Sequence, residues 1–154
     1  MTTDRSTSVE TKLEVRGLHV WFDRRHAVRG VDLEVADRKT VAFIGATGSG
    51  RTAVLRAINR LHDLDASARV EGSVKIDGKE MLSASVDVPA LRRRVGMVFG
   101  EPATLPLSTY DNVVFGLKAM GVSDRNTLDE ACERALRQVC LLYTSPSPRD
   151  RQKS

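Results

Sequence analysis

Gly45-Ala46-Thr47-Gly48-Ser49-Gly50-Arg51-Thr52 is the stretch on which the reading of this chain turns. The apolar run before it, Thr40-Val41-Ala42-Phe43-Ile44, reads as a buried strand. Ala53 to Leu61 follows with apolar residues at helical spacing, so an amphipathic helix is predicted there. Strand, glycine loop and helix are the context in which the phosphate-cradling pattern G-x-x-x-x-G-K-[ST] has physical meaning. Glycines tolerate the dihedrals that turn successive backbone N–H groups inward as an anion nest. The helix adds its free N-terminal N–H groups and the positive end of its dipole. Thr52 stands at the offset from which a hydroxyl reaches Mg²⁺. The ligand this chemistry fits is a triphosphate carrying Mg²⁺.

Arg51 stands where the pattern has lysine. Lysine is a compact charge that slips between phosphates, whereas arginine is a wider planar fork. The charge is kept and the shape is not. Weakened nucleotide binding and lost or slow hydrolysis are expected.

Composition narrows the alternatives. The chain has 154 residues, 41% hydrophobic and 29% charged, enough for one domain with a core. No apolar run approaches the roughly 20 residues that span a bilayer. Met1 to Lys12 is polar and lacks the apolar centre of a signal peptide, so residues 1–12 are read as a disordered tail and the location as cytoplasmic. Cys132 and Cys140 form no C-x-x-C pair, and His19, His26 and His62 are scattered, so neither a disulfide framework nor a metal cluster is expected. The net charge of +4 is spread among acids. Arg92-Arg93-Arg94 reads as a solvated helix end, and no nucleic-acid partner is expected.

In chain order, residues 13–22 and 27–35 alternate and predict an antiparallel hairpin across a turn at 23–26. Residues 70–79 read as a short strand ending in an Asp77-Gly78 turn. Asp87 is placed to cap a short helix with Pro89 in its first turn, and residues 94–99 read as a second buried strand. Pro102 and Pro106 mark 100–108 as loop. Tyr110-Asp111-Asn112 can cap a helix over 113–120, and Ser123-Asp124 opens a last helix through Leu128, Leu136 and Val139. The fold class expected is α/β: a P-loop NTPase core (a parallel sheet with flanking helices) plus an antiparallel β subdomain, incomplete.

Residues 13–139 resemble the N-terminal part of an ABC transporter ATP-binding domain, most of all the ATP-binding subunits of bacterial phosphate importers. Val20-Trp21-Phe22 with His26 to Leu33, the connection Asn59 to Gly72, Leu91 to Phe99 and Leu105 to Val113 carry the likeness together with the glycine loop. The resemblance implies ATP and Mg²⁺ as cofactors. It implies that Phe22 stacks on adenine, that Val28 packs on the ribose side, and that Gly45 to Thr52 hold the phosphates. It implies integral-membrane permease subunits and a second ATPase copy as partners, a place on the inner face of the plasma membrane, and transport of inorganic phosphate.

The sequence departs from that family at three positions: Arg51 for the lysine, Gly100 for the Q-loop glutamine, and Ala53 for a hydroxyl residue. The family's signature motif, Walker B strand and switch histidine have no counterpart here. Cys140 to Asp150 instead matches one reading frame of a transposon-based sequencing adapter, so residues 140–154 are read as a non-native tail. A truncated, inactive fragment is expected. The alternative is a non-catalytic nucleotide-binding regulatory module with a degenerate P-loop.

Overall fold

The computed structural model describes residues 10–101 and 104–139, and these fall into two units that meet in sequence between Val98 and Phe99. The disordered tail expected over residues 1–9 and the non-native tail expected over 140–154 lie outside the described residues.

The first unit is built on a four-stranded antiparallel sheet. β1 (Thr11–Phe22) and β2 (Arg25–Ala36) form the long hairpin, β3 (Ala68–Ile76) pairs with the other side of β1, and β4 (Lys79–Glu80) closes the edge in the order β2-β1-β3-β4. β1 begins at Thr11, two residues inside the expected tail, because Lys12 pairs with Asp77 at 2.8 Å and its carbonyl accepts the Asp77 N–H. One detail decides which side chains β1 buries. Val15, Leu18 and Val20 are wholly buried, a spacing of three and then two. Pure alternation would have put residues 17 and 19 inward. Gly17 instead takes a left-handed φ of 53°, and both neighbouring ladders slip beside it, so β1 carries a bulge there. The bulge sends Leu18, Val20 and Phe22 toward the core, and His19 and Trp21 to the opposite face. Across from it Gly72 has a φ of 113°, and a Cβ there would stand 2.5 Å from the Gly17 carbonyl oxygen.

α1 (Arg51–Ile58) lies on the inner face of this sheet, with Ala53, Val54, Ala57 and Ile58 buried against Val15, Leu18, Val20, Val28 and Val74. A 3₁₀ turn (Leu61–Leu64) leads to β3, and α2 (Val88–Arg94) adds Leu91 to the core. Asp87 caps α2 as expected, accepting the Ala90 N–H at 3.1 Å. The arginine cluster is not merely a solvated helix end. The Arg92 guanidinium donates to the carbonyls of Asn59 (3.3 Å) and Arg60 (2.6 Å), at the C-terminus of α1, and Arg94 pairs with Asp77. A cation there meets the negative end of the α1 dipole.

The two runs read as buried strands, 40–44 and 94–99, differ from expectation. Neither is a strand: Val41 is 44% exposed, Ile44 95% and Val98 97%. Buried-type composition makes a strand only where a neighbouring strand supplies ladder partners. The sheet among the described residues is antiparallel throughout and lies elsewhere in the sequence, Arg94 belongs to α2, and 40–44 and 95–99 join no sheet. Phe43 and Val95 alone turn back onto the core.

The second unit holds α3 (Thr109–Ala119) and α4 (Arg125–Gln138), packed through Val114, Leu128, Cys132 and Leu136. α3 starts earlier than read, because Ser108 is its cap: the hydroxyl accepts the Asp111 N–H at 3.0 Å. Asn112 instead ties down the preceding loop, bonding Leu105 through both its N–H and its carbonyl. Asp124 caps α4 as expected. Tyr110 donates to Asp129 at 2.7 Å, a link from α3 to α4. Desolvation, then this bond to a carboxylate, pushes the phenol up to about 12.

Candidate functional site

The glycine loop keeps the geometry its composition implies. Gly48 and Gly50 have φ of 80° and 91°, a region that L side chains rarely adopt. Gly50 is also a packing requirement: a Cβ there would lie 2.6 Å from the Ala27 carbonyl oxygen and 3.1 Å from Val28 Cγ2. The loop is thus seated directly on β2. Ser49 donates its N–H to the Ala46 carbonyl at 3.2 Å, and a Cβ on Gly45 would stand 2.9 Å from the Ser49 hydroxyl. Gly45, Ala46 and Ser49 form a closed turn. The first intrahelical bond of α1 is Val54 N–H to the Gly50 carbonyl. Arg51, Thr52 and Ala53 therefore stand in the first turn, where N–H groups precede the helical ladder and are free for an anion.

A pocket of about 270 Å³ opens at this point, lined by Thr47 to Ala53 together with Phe22, Arg25 and Ala27. Phe22 joins the loop from the end of β1, and its other side packs on the core. Thr52 lines the pocket with an exposed side chain, and Ala53 shows it only a methyl group. Three of the expected site residues stand outside the pocket lining. Val28 is 4% exposed and lies beneath Gly50, so Ala27 takes the place at the pocket wall. Gly45 and Ala46 support the turn without lining the pocket. In the second unit, Gly100 is exposed, with open space where a side chain would stand.

Arg25 is the functional residue that sequence reading missed. It was absorbed into a turn, yet it opens β2 and its Nη2 donates to the Gly48 carbonyl at 3.2 Å. The signal available was its position, three residues past the aromatic Phe22, on the hairpin end that faces the loop. Arg51 Nη2 reaches back to the Ala46 carbonyl at 3.4 Å. The lining therefore holds two guanidinium groups and no carboxylate. With helix N–H groups, two cations and a flat aromatic wall, it can receive a polyanion attached to a planar ring.

Among the described residues no group of three or more His, Cys, Asp or Glu converges to hold a metal ion, and no helix is long and apolar enough to cross a membrane. A metal at the pocket would rest on the Thr52 hydroxyl and on its ligand's own oxygens. A hydroxyl suits a hard cation such as Mg²⁺, which keeps most of its waters and takes few protein ligands.

Comparison with known proteins converges on the same stretch. The family model described as ABC transporter matches residues 28–152. The phosphate import ATP-binding protein PstB 1 of Vibrio cholerae is 41% identical over 135 residues, covering 88% of this chain and 50% of that protein. The phosphate import ATP-binding protein PstB of Pseudoalteromonas translucida is 41% identical over 138 residues, 90% of this chain and 50% of its own. Its counterpart in Shewanella denitrificans is 42% identical over 132 residues, 86% and 48%. The chain spans about half the length of the curated relatives it matches. The family model spans the glycine loop, the helix after it and most of the chain, and this chain belongs to the ABC transporter family.

Proposed function

We propose that the chain is the nucleotide-binding N-terminal part of an ATP-binding subunit of an inorganic phosphate importer. The observation that carries this reading is the pocket in which Phe22, the first turn of α1 and two arginines meet without any carboxylate. Phe22 would hold the adenine and Gly48 to Thr52 the phosphates of ATP, and the Thr52 hydroxyl would hold Mg²⁺, which would supply charge to offset the phosphates. Phosphate as the transported species follows the printed names of the relatives, which cover about twice this chain's length. Permease subunits at the inner face of the plasma membrane and a second ATPase copy belong to the same proposal. So does the assignment of residues 13–139 to the domain and of 140–154 to a non-native tail.

The chain binds ATP without turning it over. Arg51 spends its guanidinium on the Ala46 carbonyl, and Gly100 offers no side chain to a metal or an attacking water. A titration of a fluorescent ATP analogue, with and without Mg²⁺, tests this. Saturable binding strengthened by Mg²⁺ is expected, with about tenfold tighter binding in Arg51→Lys, the equivalent of about 1.4 kcal/mol. Absence of binding in both proteins would overturn the reading. Tight Mg²⁺-dependent binding already in the unaltered chain, unimproved by Arg51→Lys, would favour a regulatory module over a transport ATPase.

A further inference from the structure

The Gly17 bulge puts His19 and Trp21 on the face of the sheet opposite the core, and β2 brings His26 to the same place. His19 Nδ1 and His26 Nε2 lie 3.0 Å apart across the two strands. Trp21 stacks on both rings, 4.4 Å from His26 and 5.5 Å from His19 between centroids, and Arg69 from β3 covers Trp21 at 4.3 Å. None of these residues lines the glycine-loop pocket.

We propose that His19 and His26 form a two-histidine site for a divalent transition metal, with Cu²⁺ as the preferred ion. Two nitrogens bound at about 2.0–2.1 Å and separated by 3.0 Å subtend an angle of roughly 90–95° at the metal. That is the angle of a tetragonal site, which suits Cu²⁺ or Ni²⁺; tetrahedral Zn²⁺ would need the nitrogens about 3.3 Å apart. The hydrogen bond between the rings uses one ring proton. Moving it to the outer nitrogen of His19 leaves two facing lone pairs for the ion, and no net proton is released. The remaining coordination positions fall to water, since the nearest acid in register, Glu71 opposite His19, is paired with Arg69. Such a site binds exchangeably, and Cu²⁺ stands at the top of the divalent affinity order for nitrogen ligands.

Trp21 is the single tryptophan of the chain, so its emission reports on this cluster alone. Titrating the full chain with Cu²⁺ should give saturable one-to-one quenching in the micromolar range, and an equal concentration of Zn²⁺ added in competition should leave that quenching in place. His19→Gln and His26→Gln should each raise the half-saturation concentration by about tenfold or more. NMR of the unaltered chain makes the test independent of how those variants fold. Substoichiometric Cu²⁺ should broaden the ring signals of His19 and His26 before that of His62. Quenching that persists in both variants, broadening that affects all three histidines alike, or no response at all would overturn the proposal and leave a purely structural pair.

Discussion

Arg25 and Arg51 place two like charges at one pocket of about 270 Å³, an arrangement that gains energy only when an anion enters. Their separate tethers, Arg25 to the Gly48 carbonyl and Arg51 to the Ala46 carbonyl, keep the two from competing for one acceptor. Arg25 is exposed, so its contact with a phosphate is worth about 1 kcal/mol, roughly fivefold in Kd. Arg25→Ala should weaken binding of the ATP analogue by that factor. Arg24→Ala, exposed and outside the pocket lining, should leave the same titration unchanged. Gly48, Gly50 and Thr52 were legible from the loop pattern because backbone freedom and hydroxyl position are properties of residue type. Arg25 was not, because its role comes from a hairpin register that lies beyond a local reading. Val28 was misplaced for a related reason: strand alternation fixes which residues are buried, but not which neighbour buries them.

At the level of elements, capping was the most legible chemistry. Asp87 and Asp124 sit where the sequence placed them, each accepting an N–H from the first turn of its helix. The C-terminus of α1 was opaque, since its cap comes from another helix. Arg92 on α2 satisfies the carbonyls of Asn59 and Arg60 and is partly buried in doing so. Arg92→Ala should lower the unfolding free energy by about 1.5–3 kcal/mol, the range for hydrogen bonds to a charged group. Arg93→Ala, an exposed neighbour in the same helix, should stay within about 0.5 kcal/mol. Urea unfolding of the two variants beside the unaltered chain measures the difference. The Gly17 bulge was equally hidden. Residues 13–22 alternate well enough to predict a strand, but the extra residue that shifts the phase is visible only as the paired approach of Gly17 and Gly72.

For the whole molecule, acid is the informative stress. His62 Nδ1 is buried without a hydrogen-bond partner among the described residues, while Nε2 lies 3.1 Å from Asp63. Desolvation outweighs that carboxylate and lowers the imidazole from its ordinary 6.5. The folded state therefore binds fewer protons than the unfolded chain once the pH drops below that value, and stability falls with it. Asp65, held by Ser67, and Asp77, held by Lys12, are also lowered; their contribution is complete above about 4 and lost beneath it. The melting temperature should be level from pH 8 to about 6.5, decline gently below, and drop again under pH 4. His62→Gln should lessen the first decline, leaving the share that His26 contributes, and keep the second, as circular dichroism melts across that range would record. The family and the antiparallel subdomain were legible at this scale, through motifs that survive in any piece of the chain long enough to hold them. The parallel strands were not realised, because composition specifies a buried strand only together with its neighbours. Their present state has a further consequence. Val41, Ile44 and Val98 hold apolar side chains out to solvent, with Ile44 and Val98 almost fully bare. Such bare apolar side chains favour association between molecules. Such a molecule should lose solubility as its concentration rises, because two bare patches then meet more often.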